Sequence, residues 1–269
     1  MWLLYLILGA AIVYVALVSV AALSQTRMLF PTQMAAANRP ALPRSAERLE
    51  LKTPDGETLA GVRLGTPFDA KPLLLGFGGN AWNAESMALY LHRLFPDHEV
   101  TAFHYRGYPP STGQPSAKAL LRDSLVIFDH LQQARSRRVV AIGFSIGSGV
   151  AAYLAHHRNL AGTILVTPFD SLETLAREHF PWAPVGLVLR HHMRTIDLVR
   201  DRPTPTALMT AGRDTIVPAR RSEPLRSAIP NLVLDRTIAE AGHNDLYDHP
   251  AFAATMHEAM ARLEEAAPR

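Results

Sequence analysis

The chain contains no cysteine. Disulfide scaffolds, thiol nucleophiles and thiolate-held metals all need a sulfur that is not there. Charge is missing locally as well: from Trp2 to Leu23 there is no Asp, Glu, Lys, Arg or His. The net charge of +3 comes from scattered arginines, with no basic block interleaved with aromatics, so nucleic acid is not an expected partner. No Gly-Lys-Ser/Thr phosphate loop or dinucleotide fingerprint is found, and no organic cofactor is expected. The pairs His156-His157 and His191-His192 offer no zinc site. Neighbouring helical residues point apart, and no carboxylate-histidine spacing accompanies them.

The charge-free run is rich in Leu, Ile, Val and Ala. As a helix rising ~1.5 Å per residue it would extend roughly 33 Å, enough for a hydrocarbon core. A secretory signal would have a basic start and a shorter apolar stretch before a small-x-small site. Here no Lys or Arg precedes the run, although Val20-Ala21-Ala22 leaves cleavage open. Residues 1–24 are therefore read as a membrane anchor, and the protein as single-pass, with a bacterial inner membrane as the expected location. Arg27, Arg39, Arg44, Arg48 and Lys52 follow the run, which favours a cytoplasmic domain. Residues 25–46, with Pro31, Pro40 and Pro43, read as a linker that lifts one domain, 47–269, off the bilayer.

Within that domain, alternation in Arg48–Lys52, a Pro54-Asp55-Gly56 turn and a second run at Leu59–Leu64 predict a hairpin. Strands are expected at Leu73–Phe77, Val100–Tyr105, Val139–Phe144, Thr163–Val166, Thr206–Thr210 and Asn231–Thr237. Helices are expected at Glu85–Phe95, Ser116–Gln133 and Pro250–Glu264, with Ser116 as an N-cap. A hairpin followed by alternating strands and helices implies an α/β fold, with a mostly parallel sheet covered on both faces. Between Ser171 and Arg202 the apolar centre Phe180–Leu189 reads first as core packing and second as a small lid or acyl groove.

Gly143-Phe144-Ser145-Ile146-Gly147 joins the apolar strand Val139–Ile142 to a helix-like stretch from Val150. A serine at such a strand-turn-helix apex takes a strained backbone, and side chains two residues to either side would clash; Gly143 and Gly147 avoid that. A serine hydroxyl is a poor nucleophile without a base, and the base needs an orienting group. Asp214 follows the strand Thr206–Thr210, and His243 lies between the last strand and the last helix, which delivers all three to one sheet edge in the order Ser, Asp, His. Asp170, one strand earlier, is the rival acid, and Asp245 reads as a cap of the His243 loop. The developing oxyanion needs N–H donors. The backbone amides of Ile146 and of Asn80, with Gly79 next, are the candidates.

These residues resemble the α/β-hydrolase superfamily, and within it a membrane-anchored serine hydrolase branch, the bud-emergence-type and depalmitoylase-like hydrolases. Arg27-Met28-Leu29-Phe30-Pro31, the stretch from Phe77 to Asn83, Tyr105-Arg106-Gly107-Tyr108 with Ser111-x-Gly113-x-Pro115-Ser116, and the elbow carry the likeness. The family pattern reads Phe-His-Gly-Asn and Asp-Tyr-Arg-Gly-Tyr; here Gly78 stands for that His and His104 for that Asp. The resemblance implies hydrolysis of an ester or thioester, from a small-molecule, lipid-like or protein-borne acyl group. A peptidase on the same triad and a non-catalytic membrane scaffold are the alternatives.

Overall fold

The computed structural model describes residues 1–37, 39–66, 71–134 and 136–266. Residues 267–269, the end of the expected domain, lie outside them. Helix α1 (Trp2–Leu29) has no buried residue. It runs past the expected anchor because nothing in Ser24-Gln25-Thr26-Arg27 breaks a helix. It stops at Phe30 (φ −125°, ψ 77°), where Pro31 disfavours helical backbone in the residue before it. This corrects the linker reading of 25–46. Its first part is helix, and Phe30, which ends α1, and Ala35 of α2 (Thr32–Ala37) are buried in the domain core. Asn83 Nδ2 donates to the Ala35 carbonyl at 3.0 Å, so the segment docks on the domain.

The remaining elements are β1 (Glu47–Lys52), β2 (Thr58–Leu64), β3 (Leu73–Phe77), α3 (Ala84–Leu94), β4 (Val100–Phe103), α4 (Ala117–Ala134), β5 (Val139–Phe144), α5 (Ile146–His157) and β6 (Gly162–Val166). They continue with α6 (Leu172–His179), α7 (Val185–Val188), α8 (Thr195–Val199), β7 (Thr206–Ala211), α9 (Ala219–Ala228), β8 (Leu232–Ile238) and α10 (Pro250–Ala266). One sheet has the order β1-β2-β4-β3-β5-β6-β7-β8. The hairpin strand β2 is antiparallel to β1 and β4, and every other pair is parallel.

Every residue of β3, β5, β6 and β7 is buried. That is the signature of strands covered on both faces, and successive side chains feed alternate faces. Leu73, Leu75, Val139 and Ala141 pack on the side of α4 and α5. Leu74, Val140, Ile142 and Phe144 pack on the side of α3 and α10. Each fully buried Leu, Ile or Val stabilises the fold by about 1.5–3 kcal/mol, so this double-sided core is a stiff platform for the loops at its carboxyl edge. Ser116 Oγ accepts from the Ala119 amide at 3.1 Å, as an N-cap of α4 does.

Two regions depart from the sequence reading. Helix α9 was not expected, because a polar run with an interior Pro224 has no apolar period. Its inward side is fixed by tertiary contacts: Ser222 donates to the Pro168 carbonyl at 2.6 Å, and the Arg221 carbonyl accepts from Asp170 at 2.7 Å. The second is the stretch Phe180–Leu189, which is not core. Val185 is its buried residue, whereas Trp182 is 45% and Leu187 88% exposed.

Candidate active site

Between β5 and α5 the chain turns through Ser145 with φ 52° and ψ −116°. A positive φ in a non-glycine residue costs energy, and it persists only where the surroundings hold it. Here the Ser145 amide donates to the Val166 carbonyl at 2.8 Å, and the Ser148 amide closes the turn on the Ser145 carbonyl at 3.0 Å. A Cβ on Gly147 would collide with the Phe77 carbonyl and come within 2.6 Å of the Gly78 carbonyl, and one on Gly143 would strike the Gly147 backbone. The two glycines are therefore steric requirements of the turn.

His243 Nε2 lies 3.1 Å from Ser145 Oγ, and its Nδ1 lies 2.7 Å from Asp214 Oδ2. With Nδ1–H donating to the carboxylate, Nε2 is left as the acceptor for the serine proton. Asp214 is fixed in turn, because its Oδ1 accepts from the amides of Ile216 at 2.9 Å and Val217 at 2.7 Å. Both Asp214 and His243 are buried, and Ser145 is half-buried. Asp245 Oδ1 accepts from the Gly242 amide at 2.5 Å and so closes the histidine loop, as the sequence suggested. The rival acid Asp170 is engaged elsewhere. Its Oδ1 accepts from Ser171 and Thr174, and its Oδ2 faces Arg221 at 3.3 Å.

The loop after β3 lies over the serine, and a Cβ on Gly79 would sit 3.8 Å from Ser145 Cβ. Among the described residues, neither the Asn80 nor the Ile146 amide donates to a backbone carbonyl, so both remain open to a ligand oxygen. Sequence reasoning assigned no role to the groups that hold this loop. Tyr108 Oη donates to the Asn80 carbonyl at 2.7 Å, and Tyr105 Oη to the Gly78 carbonyl at 2.8 Å. Tyr105-Arg106-Gly107-Tyr108 was visible as a motif, but its aim at the other loop is a tertiary fact. Burial raises both tyrosine hydroxyls well above their ordinary pKa, so each remains a donor.

Arg106, between them, bonds Asp123 and Asp55, and this guanidinium, with Thr53 beside it, holds the Asp55 carboxyl far below the usual range. Gly78, where the family pattern has His, has Trp82 against it; a Cβ there would meet Trp82 Cβ at 3.2 Å. Trp82 in turn packs edge-on to Phe144, with ring centres 4.9 Å apart. His104, in place of the patterned Asp, is buried. Desolvation lowers its pKa to about 4, so the replacement puts a neutral ring where the pattern has a carboxylate.

The paired histidines are engaged away from this rim: His156 Nδ1 with the Leu198 carbonyl at 3.0 Å and His191 Nε2 with Thr26 Oγ1 at 2.9 Å. No group of three His, Asp or Glu able to hold a metal occurs among the described residues.

The eight-stranded sheet and the turn-held serine on its carboxyl edge define an α/β hydrolase, and the chain belongs to that superfamily. The family model for the α/β hydrolase fold matches residues 73–188. An uncharacterized protein of Mycobacterium tuberculosis is 32% identical over 201 residues, covering 70% of this chain and 71% of that one. Protein bem46 of Schizosaccharomyces pombe is 29% identical over 188 residues, 64% of this chain and 62% of its own length. Among solved structures, the Pyrococcus furiosus esterase Pf2001 superposes with a TM-score of 0.67 at 18% identity, over 84% of this chain and 96% of the esterase. At that identity the likeness is one of fold.

Proposed function

We propose that this chain is a membrane-anchored serine hydrolase that cleaves carboxylic esters or thioesters through an acyl-enzyme. The observation that carries the reading is the continuous relay from Asp214 Oδ2 through His243 to Ser145 Oγ, on a serine held at positive φ. His243 Nε2 takes the hydroxyl proton as Ser145 Oγ attacks the acyl carbon, and Asp214 stabilises the imidazolium. The amides of Asn80 and Ile146 are positioned to receive the developing oxyanion. Collapse of the tetrahedral intermediate breaks the bond to the alcohol or thiol, which leaves with the proton from His243. Water, deprotonated by the same imidazole, then releases the carboxylic acid. Each oxyanion donor in such a site is worth about 2.7–4 kcal/mol of barrier.

Substrates in this reading are small acyl esters or thioesters, lipid-like molecules or acylated proteins, with no metal or organic cofactor in the chemistry. Helix α1 is long and apolar enough to cross a membrane, and this supports a single-pass anchor in a bacterial inner membrane. The test is turnover of short acyl p-nitrophenyl esters by the full chain and by Ser145→Ala. A loss of roughly 10⁴-fold or more in kcat, with an unchanged melting curve, is expected. Equal rates would remove the serine from the mechanism.

A further inference from the structure

Polar side chains in the outer half of α1 are matched to the stretch that follows α6. Tyr14 Oη donates to the Trp182 carbonyl at 3.0 Å. Gln25 Nε2 donates to the Val188 carbonyl at 3.0 Å, and the Arg190 amide donates back to Gln25 Oε1 at 2.8 Å. The Arg190 guanidinium reaches the Ala22 carbonyl at 2.7 Å. Residues 180–189 thus climb α1 from the level of Gln25 to that of Tyr14.

Arg27 is the first charge on the helix. Tyr14 stands about 20 Å from it along the axis, taking ~1.5 Å per residue. Between them Val15, Leu17, Val20 and Leu23 are each more than half exposed, a surface suited to lipid and not to water. If Arg27 marks the headgroup level, Tyr14 lies well within a hydrocarbon core ~30 Å thick, and Trp182, bonded to it, lies at the same depth. Arg190, the first charge after the apolar stretch, sits back at the level of Ala22 and Gln25. Both elements therefore emerge together.

Most of the backbone of the stretch meets the demand that a bilayer makes of any chain inside it, that its amides be bonded internally; the Trp182 and Gly186 amides, which donate to no carbonyl among the described residues, are the exceptions. The N–H groups of Phe180, Ala183, Val185, Leu187, Val188 and Leu189 donate to carbonyls between Ala176 and Val185. Pro181 and Pro184 have no N–H to satisfy. Nothing ionisable occurs from Phe180 to Leu189, and Leu187 and Trp182 point out of the fold. The Arg177–Glu173 ion pair lies against Gly186 and gives the stretch one polar edge.

Between α1 and this stretch runs an apolar groove of about 250 Å³, with Ala21, Ala22 and Leu29 on one wall and Leu175, Ala176 and Leu189 on the other. At its domain end His179 Nε2 bonds the Ile216 carbonyl at 2.8 Å, and the Ile216 amide is one of those that hold Asp214. His179, which lines the groove, therefore ties its wall to the loop that carries the acid of the relay.

Building on the membrane-anchored reading above, we propose that residues 180–189 are inserted in the bilayer beside α1, and that the groove between them takes one acyl chain of a bilayer lipid. The ester or thioester presented to Ser145 is then lipid-borne, and it arrives sideways from the membrane.

The absence of cysteine makes the insertion directly measurable. In a Ser145→Ala background, Leu187→Cys and the exposed control Ser227→Cys are labelled with an environment-sensitive fluorophore and reconstituted in phosphatidylcholine vesicles, with or without acyl-chain nitroxide lipids. Insertion predicts several-fold stronger quenching at 187 than at 227; equal quenching overturns it. This readout needs no catalysis, so it survives failure of the hydrolase assignment. For the groove, Ala176→Phe in the otherwise native chain should abolish a preference for long over short acyl esters, while fluorophosphonate labelling of Ser145 persists. If the labelled variant retains the wild-type chain-length preference, the groove does not hold the acyl chain. If Ala176→Phe is not labelled, Ala176→Val is read in the same way.

Discussion

At the sheet rim, Ser145, Asp214 and His243 stand on loops whose backbones are bonded back into the sheet. The Ser145 amide is tied to the end of β6, and the Gly212 and Arg213 amides to the Ile238 and Ala241 carbonyls. Between Phe180 and Leu189 the same chain makes one short helical turn whose apolar side chains, Val185 apart, look outward or toward α1. The first region is over-determined by its neighbours; the second is held by a handful of side-chain bonds to one helix. Chemistry placed on the stiff rim keeps its geometry whatever the substrate, while the thinner region can differ in sequence and retune what is bound.

Substitutions at the rim test that contrast in order of size. Asp214→Asn keeps the packing but presents an amide to His243 Nδ1 and favours the wrong tautomer. A drop of about 10⁴ in kcat with little change in Tm is expected from ester kinetics and a thermal melt. Gly147→Ala drives a methyl into the Phe77 and Gly78 carbonyls, so it should destabilise the fold by several kcal/mol, measured by urea unfolding. A stable, active Gly147→Ala protein would mean the rim is far softer than described.

The buried His104 gives a pH signature. Its pKa of about 4 lies below the ordinary 6.5, so between those values the unfolded chain binds the proton and the folded one does not. Stability is complete above pH 6.5 and is lost as the pH falls towards 4, by up to about 3 kcal/mol from this group. Unfolding at pH 7.5 and 4.5 should show the loss, and His104→Asn should reduce it. The smallest effect is set for Tyr108→Phe. Loss of the hydroxyl that holds the Asn80 carbonyl should cost about 1 kcal/mol, read as a several-fold fall in kcat at nearly constant KM. No change would separate the Asn80 loop from catalysis.

The contrast also decides what could be read before folding. The all-buried strands are continuous apolar runs bounded by turns, and the Ser145 elbow states its own geometry through Gly143 and Gly147, so a mostly parallel sheet and the delivery of three loops to one edge followed from local signals, while the order of the strands did not. Ends and partners did not. The extension of α1 to Leu29 depends on the absence of a breaker before Pro31, and the docking of Phe30 on a pocket built by distant residues. Helix α9 has no apolar period to announce it. The stretch Phe180–Leu189 has the composition of a core strand or helix. Only its hydrogen bonds to Tyr14 and Gln25 distinguish a segment that faces α1 from one that faces the sheet. The tyrosine clamp on the Asn80 loop is invisible for the same reason, since its partners lie some thirty positions apart in sequence.

The central claim is that Ser145 is activated by His243 on this rim. It is tested most directly by treating the membrane-reconstituted protein with a fluorophosphonate and locating the adduct by peptide mass spectrometry. The account predicts one adduct, on Ser145, formed at least a thousandfold more slowly in His243→Ala, as expected when the base of such a relay is removed. An adduct on another serine, or unchanged labelling of Ser145 without His243, would contradict it.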